Sequence, residues 1–243
     1  MPVTTVTFDL WETLIADSPD LDQKRSQARV RQIGQILQKV GFDFQKEQIE
    51  RAHSLVWDEC SRFWQQSRDV SFHRQVEIFL DLISPGLAAS LSRDRFHEIT
   101  QIYARAVLLH PPVATAGAGQ VLAWFQARGY RLGLICNTGR SPGRVLRKLL
   151  ARFGFLRYFD CALFSDEAIV RKPDPAIFHL ALKEMGAKAS EAVHVGDSWE
   201  NDIQGALAVG MSAMWIGGDP QKTSLPCPAS VADLPKLFSS NLQ

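Results

Sequence analysis

The segment Val3-Thr4-Thr5-Val6-Thr7-Phe8-Asp9-Leu10-Trp11-Glu12-Thr13-Leu14 decides how the rest of the chain is read. Val, Thr and Phe dominate residues 3–8, the composition of a short buried strand. The apolar run stops at Asp9. In open parallel α/β sheets, ligands bind beyond the carboxyl ends of the strands. An acid at that point is therefore a candidate nucleophile, base or metal ligand. A lone Asp after a strand is more often a turn or N-cap residue; three further strand ends that carry polar groups shift that balance.

Directly after this segment the pattern turns helical. Apolar residues at helical spacing predict helices over 22–40, 45–66, 72–83 and 92–109, with Gly41, Ser84-Pro85-Gly86 and His110-Pro111-Pro112 as stops. Four amphipathic helices in succession read as a bundle. Trp57, Phe63 and Trp64 of the second helix are expected to fill its core. Beyond Pro112 the texture alternates. Strands are predicted over 131–136, 162–165, 192–196 and 212–216, and helices over 116–127, 143–153, 176–185, 202–209 and 231–238. This alternation signifies βαβ units and a parallel sheet. The first strand needs neighbours on both sides. The expected fold class is thus α/β, a Rossmann-like parallel sheet core (residues 1–16 and 111–243) with an inserted α-helical bundle (residues 17–110) overhanging the carboxyl ends of the strands.

Composition excludes several roles. Charges nearly balance, with 27 Lys and Arg against 26 Asp and Glu. General nucleic-acid or membrane-surface binding needs a strong basic excess. No stretch approaches the ~20 apolar residues of a spanning helix. The start has no basic n-region, which argues against a secretory signal. The four cysteines form no CxxC pair and the six histidines show no paired spacing, so reduced thiols, a cytoplasmic location and no zinc site are expected.

Four strand ends carry the chemistry: Asp9, the Cys136-Asn137-Thr138 turn, the Lys172 loop, and Asp197 with Asp202. Asp9, Asp197 and Asp202 supply the hard oxygen ligands that suit Mg²⁺ with waters and a substrate phosphate. Without a cation, three such carboxylates repel. Lys172 offers a point charge to phosphoryl oxygens, and the turn after Cys136 leads to a helix N-terminus, a ready anion site. Each has a structural reading as well: Asp202 as an N-cap, Lys172 as a solvated lysine, 137–139 as a turn.

Phe8-Asp9-Leu10-Trp11-Glu12-Thr13-Leu14, Leu134-Ile135-Cys136-Asn137-Thr138, Arg171-Lys172-Pro173-Asp174-Pro175 and Val195-Gly196-Asp197 through Asp202 together resemble the four motifs of the haloacid dehalogenase superfamily. The likeness is to the subgroup with a helical cap inserted after the first motif, and it spans essentially the whole chain. It implies a Mg²⁺-dependent phosphohydrolase of a small phosphorylated metabolite; a monomer or homodimer is expected, and the charge balance points to no nucleic-acid or membrane partner. It implies that Asp9 forms an aspartyl-phosphate that water hydrolyses. The implied metal ligands are Asp9, the Trp11 backbone carbonyl, Asp197 and Asp202, and Lys172 holds Asp9 and the transferred group beside Cys136, Asn137 and Thr138. Two positions, 11 and 136, depart from the pattern in ways that matter. Trp11 stands where phosphatases of the family have a second Asp as general acid and base. Glu12, where Gly is usual, is a weak candidate for that missing acid. Cys136 replaces Ser or Thr. The aromatic residue at 11 makes a 2-haloacid dehalogenase one rival, although that chemistry goes with Ser in place of Asp197. A silent member that binds a phosphorylated ligand or a protein partner is another. Arg140 alone of the basic run 140–152 is expected near the site; the others read as the wet face of a helix.

Overall fold

Strands rich in β-branched and aromatic residues line up in parallel where the sequence alternates. The computed structural model describes residues 2–240. Five strands form the main sheet: β1 (Thr5–Phe8), β2 (Arg131–Cys136), β3 (Cys161–Phe164), β4 (Ala192–Gly196) and β5 (Ser212–Trp215). Their order is β3-β2-β1-β4-β5, every neighbouring pair parallel. All four residues of β1 are buried, as a central strand covered on both faces must be. Phe8 is flanked in register by Leu134 and Val195, so the Asp9 turn emerges at the middle of the carboxyl edge. The two-residue side-chain period divides β2 between the faces. Leu132, Leu134 and Cys136 join one apolar cluster and Ile135 joins the other.

Between β1 and β2 the chain forms α1 (Pro19–Lys39), α2 (Lys46–Trp64), α3 (Phe72–Ile83), α4 (Leu87–Ser90) and α5 (Arg93–Leu109). Ser18, Ser71 and Ser92 cap α1, α3 and α5 by accepting a backbone N–H. Tyr103 packs against Phe72, Phe79 and His53 at the centre of these helices. The apolar cluster containing Ile33, Phe79 and Tyr103 is continuous with Phe8 and Leu134 of the sheet. The remaining helices are α6 (Ala118–Gln126), α7 (Gly143–Arg152), α8 (Ser165–Ala168), α9 (Pro175–Glu184), α10 (Gly205–Ala208) and α11 (Leu234–Ser240).

Three features differ from the sequence reading. Ile15–Ala16 pairs antiparallel with Val113–Ala114, joining the points where the chain leaves and re-enters the α/β layers; two-residue strands are too short to show a period. Ser165, expected to end a strand, opens α8. The helix expected to begin at Asp202 is preceded by a wide π-type turn, Trp199–Gln204. Such turns recur at functional sites because they redirect a side chain without ending the helix.

The α2–α3 connection is fastened to the sheet side by Asp69. This buried carboxylate accepts from the Trp64 indole N–H at 2.8 Å, from the Ser165 hydroxyl, and from the Arg171 guanidinium at 3.4 Å. Arg68 and Val170 add a two-residue bridge alongside. Asp69→Ala leaves four donors without their acceptor, the Val70 N–H at 2.8 Å among them, and a largely buried guanidinium without its counter-charge. The expected loss is about 3 kcal/mol of unfolding free energy, read from urea denaturation. A loss under about 1 kcal/mol would mean that this ion pair is solvated like a surface one.

Candidate active site

Asp9 leaves β1 at the carboxyl edge with its N–H donating to Val195 O at 2.9 Å, one more rung of the β1–β4 ladder. From β4, Gly196 is followed by Asp197, and the wide turn folds Asp202 back over Gly196. The Ser198 hydroxyl caps that turn by accepting from Asn201 N–H at 3.2 Å, and Asp202 Oδ2 accepts from Ser198 N–H at 3.0 Å. A Cβ at position 196 would lie 2.4 Å from Asp202 Cγ. Only glycine leaves room for that carboxylate.

Lys172 stands between the acids, its Nζ donating to Asp9 Oδ1 at 2.5 Å and Asp202 Oδ1 at 2.6 Å. Its backbone is clamped by one side chain. Asn137 Oδ1 accepts from Lys172 N–H at 2.8 Å, and Asn137 Nδ2 donates to Lys172 O at 2.9 Å. Behind Asp202 the strand supplies a further partner. His194 Nε2 lies 3.2 Å from Asp202 Oδ1, and its Nδ1 lies 2.8 Å from Thr7 Oγ1. Asp202 is an acceptor, so Nε2 carries the proton and the Thr7 hydroxyl donates to Nδ1. Thr7 and His194 are register partners, so a row Thr7–His194–Asp202–Lys172–Asp9 runs under the sheet edge.

Burial sets the electrostatics. It pushes the Asp9 carboxyl up to about 7, the nearby Asp202 and Asp197 charges adding to the rise and Lys172 opposing it. Asp197 is raised for the same two reasons, burial and then Asp202. Burial also works to raise Asp202, but Lys172 and His194 outweigh it and hold that carboxyl below its usual range. For Lys172 burial favours the neutral amine, yet Asp202 and Asp9 together keep the ammonium firmly charged. One oxygen from each of Asp9, Asp197 and Asp202 lies within 4.8 Å of the others. Three hard oxygens converging beside a single ammonium, two of their carboxyls pushed toward protonation, fit a divalent cation that would restore charge balance.

The other expected site residues divide. Cys136 is buried, and burial with the Asp9 charge raises its thiol well above the usual value, so it is a protonated donor and no redox-active thiolate. Thr138 lies at the site's rim with both its groups engaged: its N–H donates to Ser165 Oγ at 2.7 Å, and its hydroxyl accepts from Asp166 N–H at 3.1 Å. Trp11 lines a cavity of about 370 Å³ together with Arg29, Trp57, Asn137, Arg140 and Arg171. Glu12 adopts φ 56°, the left-handed region that favours glycine, and its exposed carboxylate accepts from Asp17 N–H at 3.1 Å. Trp57 is 45% exposed, against the expectation that it fills the bundle core; its ring lies under the Arg140 guanidinium instead. Arg144 and Arg147 also depart from a purely wet face, reaching Gln101 and Glu167. His194 and Arg29 escaped the sequence reading. A histidine within an apolar strand two residues before Gly196 was the available signal for the first. A larger groove of about 820 Å³ beside α1 contains none of the carboxylates or Lys172.

A family model described as haloacid dehalogenase-like hydrolase matches residues 3–210, and the chain belongs to that family. It is 41% identical over 100 residues to a glyceraldehyde 3-phosphate phosphatase of Pyrococcus abyssi, the match covering 41% of each chain. The chain thus spans less than half the length of that relative. It is 29% identical to a ribulose-1,5-bisphosphate 5-phosphatase of Halopiger xanaduensis, over 91% of this chain and 87% of the other. Among solved structures, a 2-haloacid dehalogenase of Pseudomonas syringae pv. Tomato superposes with a TM-score of 0.71 at 25% identity, covering 98% of this chain and 99% of that one. Among the described residues no helix is long and apolar enough to cross a membrane.

The charge pattern has a consequence for stability. Lys172→Met leaves Asp9 and Asp202 buried without their cation, an expected cost of about 3 kcal/mol in chelator at neutral pH. Asp9 already titrates near 7 when folded, against about 3.9 unfolded, and losing Lys172 raises it further. Below that value the folded chain takes up a proton the unfolded chain does not, so acidification stabilises the folded variant. Wild type takes up the same proton below about 7, so the gap to it should narrow above that value, between about pH 9 and about pH 7, in urea titrations. A gap that widens on acidification would contradict this charge assignment.

Proposed function

We propose that this protein is a divalent-cation-dependent phosphohydrolase in which Asp9 is the nucleophile and a small phosphorylated metabolite the substrate. The observation that carries this reading is the placement of Lys172 Nζ between Asp9 and Asp202, with the Asp197 carboxylate alongside. An Asp9 oxygen attacks phosphorus, the bond from phosphorus to the leaving oxygen breaks, and an aspartyl-phosphate forms. Water then attacks that phosphorus, releasing inorganic phosphate and restoring the carboxylate. Lys172 keeps Asp9 ionised and orients it, while Asn137 fixes the lysine's backbone. Phosphoryl oxygens are assigned to Lys172 and the Cys136–Thr138 turn, where Thr138 acts by holding the backbone to Ser165. Mg²⁺ is the assigned cation; bound there it would neutralise phosphoryl charge as a Lewis acid. Asp9, Asp197 and the Trp11 carbonyl are the ligands proposed. Asp202, saturated by Lys172, His194 and Ser198, is given the task of holding Lys172. Residues 17–110 are assigned as a cap on a core of 1–16 and 111–243.

The dehalogenase reading draws support from the Pseudomonas structure and from the aromatic side chain at position 11. The carboxylate cluster weighs against it, because Asp197 brings a charge that a metal-free site has no use for. Chelation separates the two. EDTA should abolish hydrolysis of an aryl phosphate and Mg²⁺ restore it, while Asp197→Asn should raise the Mg²⁺ concentration needed at least several-fold. Chelator-resistant release of halide from a 2-haloacid would overturn the phosphohydrolase reading.

Trp11 sets a second expectation. An indole N–H exchanges no proton near neutral pH, and Glu12 is occupied at the Asp17 amide. The leaving group then departs unprotonated, so rates should rise steeply with leaving-group acidity, aryl and acyl phosphates far outpacing alkyl ones. Trp11→Asp should speed alkyl esters by up to ~10²-fold, with near-UV dichroism confirming the fold. Equal wild-type rates on alkyl and aryl esters would show that another residue supplies the proton.

A further inference from the structure

Arg29 is 1% exposed, among the costliest placements a charged side chain can take. Its Nε donates to Tyr103 O at 2.9 Å and its Nη2 to Arg140 O at 3.3 Å, but Nη1 has no partner. Arg140 is held similarly. Its Nη2 donates to His53 O at 3.3 Å, its plane stacks over Trp57, and its Nε is unpartnered. The Tyr103 hydroxyl, set against the Arg140 guanidinium, and His53 Nε2 complete the group, and Arg29 Nη1 is left without an acceptor. The other two arginines of the cavity are compensated, Arg25 by Asp17 and Arg171 by Asp69. No carboxylate among the described residues forms an ion pair with Arg29 or Arg140. Two neighbouring guanidiniums repel each other, and Asp22, the carboxylate of the same cavity that acts on Arg29, is half exposed and already faces Arg25. Burial lowers Arg29 to about 10, and the Arg140 charge pushes the same way.

We propose that this pair receives a second anionic group of the substrate, a carboxylate or a phosphate, so that the protein selects phosphorylated metabolites charged at the end remote from the reacting phosphoryl. The proposal rests on the phosphohydrolase reading above and names its substrate class. A planar guanidinium fork matches either anion with parallel charge-assisted bonds. The cavity is of the right reach for one small molecule: its lining runs from Arg29 and Arg140 to Trp11, two residues from Asp9, and to Asn137, which clamps Lys172. Trp57 and Trp11 line the same cavity and offer apolar surface to a short carbon chain between the two charged ends.

Calorimetric binding to the Asp9→Asn protein in Mg²⁺ tests this without turnover. Two ligand pairs differ only in the remote group: 3-phosphoglycerate against glycerol 3-phosphate, and ribulose 1,5-bisphosphate against ribulose 5-phosphate. In at least one pair the doubly anionic member should bind about tenfold tighter, and the pair that does so tells carboxylate from phosphate. Arg29→Gln should shrink that ratio to under about threefold. Arg140→Gln, at a half-buried position, should do likewise and stands in if the first variant fails to fold by dichroism. Equal affinities within both pairs, or a ratio that survives in the folded arginine variants, would overturn the second-anion site while leaving the phosphohydrolase reading intact. Failure of all four ligands to bind would overturn both.

Discussion

The bond pair from Lys172 Nζ to Asp9 and Asp202 is the interaction on which the carboxyl edge of the sheet depends. Three carboxylates brought to one place in a buried setting would each be driven toward protonation. A single ammonium, itself 2% exposed, offsets two of them at once, and the rest of the local structure serves to keep it there. Asn137 holds the lysine backbone from β2, His194 and the Ser198 N–H hold Asp202 from β4, and Gly196 leaves the space in which Asp202 sits. The charge remaining when Lys172 is satisfied belongs mainly to Asp197 with Asp9, the half of the site open to a cation.

Much of this was legible from sequence because strand ends in a parallel sheet converge by topology. Asp9, Cys136, Lys172 and Asp197 each follow a strand or its loop, and no side-chain detail was needed to gather them. What stayed hidden lies in elements whose signal is local geometry. The Ile15–Ala16 and Val113–Ala114 pair has too few residues for alternation. The π-type turn before α10 carries the same residues an ordinary helix would. Glu12 at φ 56° looked like a departure in chemistry, whereas the structure shows it as a departure in backbone preference, an L side chain where glycine is at ease. Arg29 was lost in a helix full of charges, since helical periodicity does not reveal which charged residue of an amphipathic segment turns inward. Trp57 read as core by its type, and only the stacking of Arg140 on its exposed ring shows its place beside the cavity.

The helices α1–α5 and the sheet are tied together more closely than separate layers would be. Asp69 reaches Ser165 and Arg171 from the α2–α3 connection, and Arg29 on α1 reaches the Arg140 backbone after β2. Both ties meet residues that flank Lys172 or the turn after Cys136. The packing of these helices and the position of Lys172 and the turn after Cys136 are thus tied through two buried charges. This explains why charged side chains lie inside a region whose apolar cluster is otherwise continuous.

The nucleophilic role of Asp9 is the central claim, and acid quenching during turnover of an aryl phosphate in Mg²⁺ tests it most directly. Trp11 offers no general base for the second step, so the phosphorylated enzyme should accumulate ahead of slow turnover. Mass spectrometry of the quenched protein should then find one phosphoryl group on the peptide containing Asp9, absent from the Asp9→Asn protein and absent in chelator. Phosphorylation at another residue, or turnover with no phosphorylated protein at any quench time and full activity in Asp9→Asn, would contradict the account.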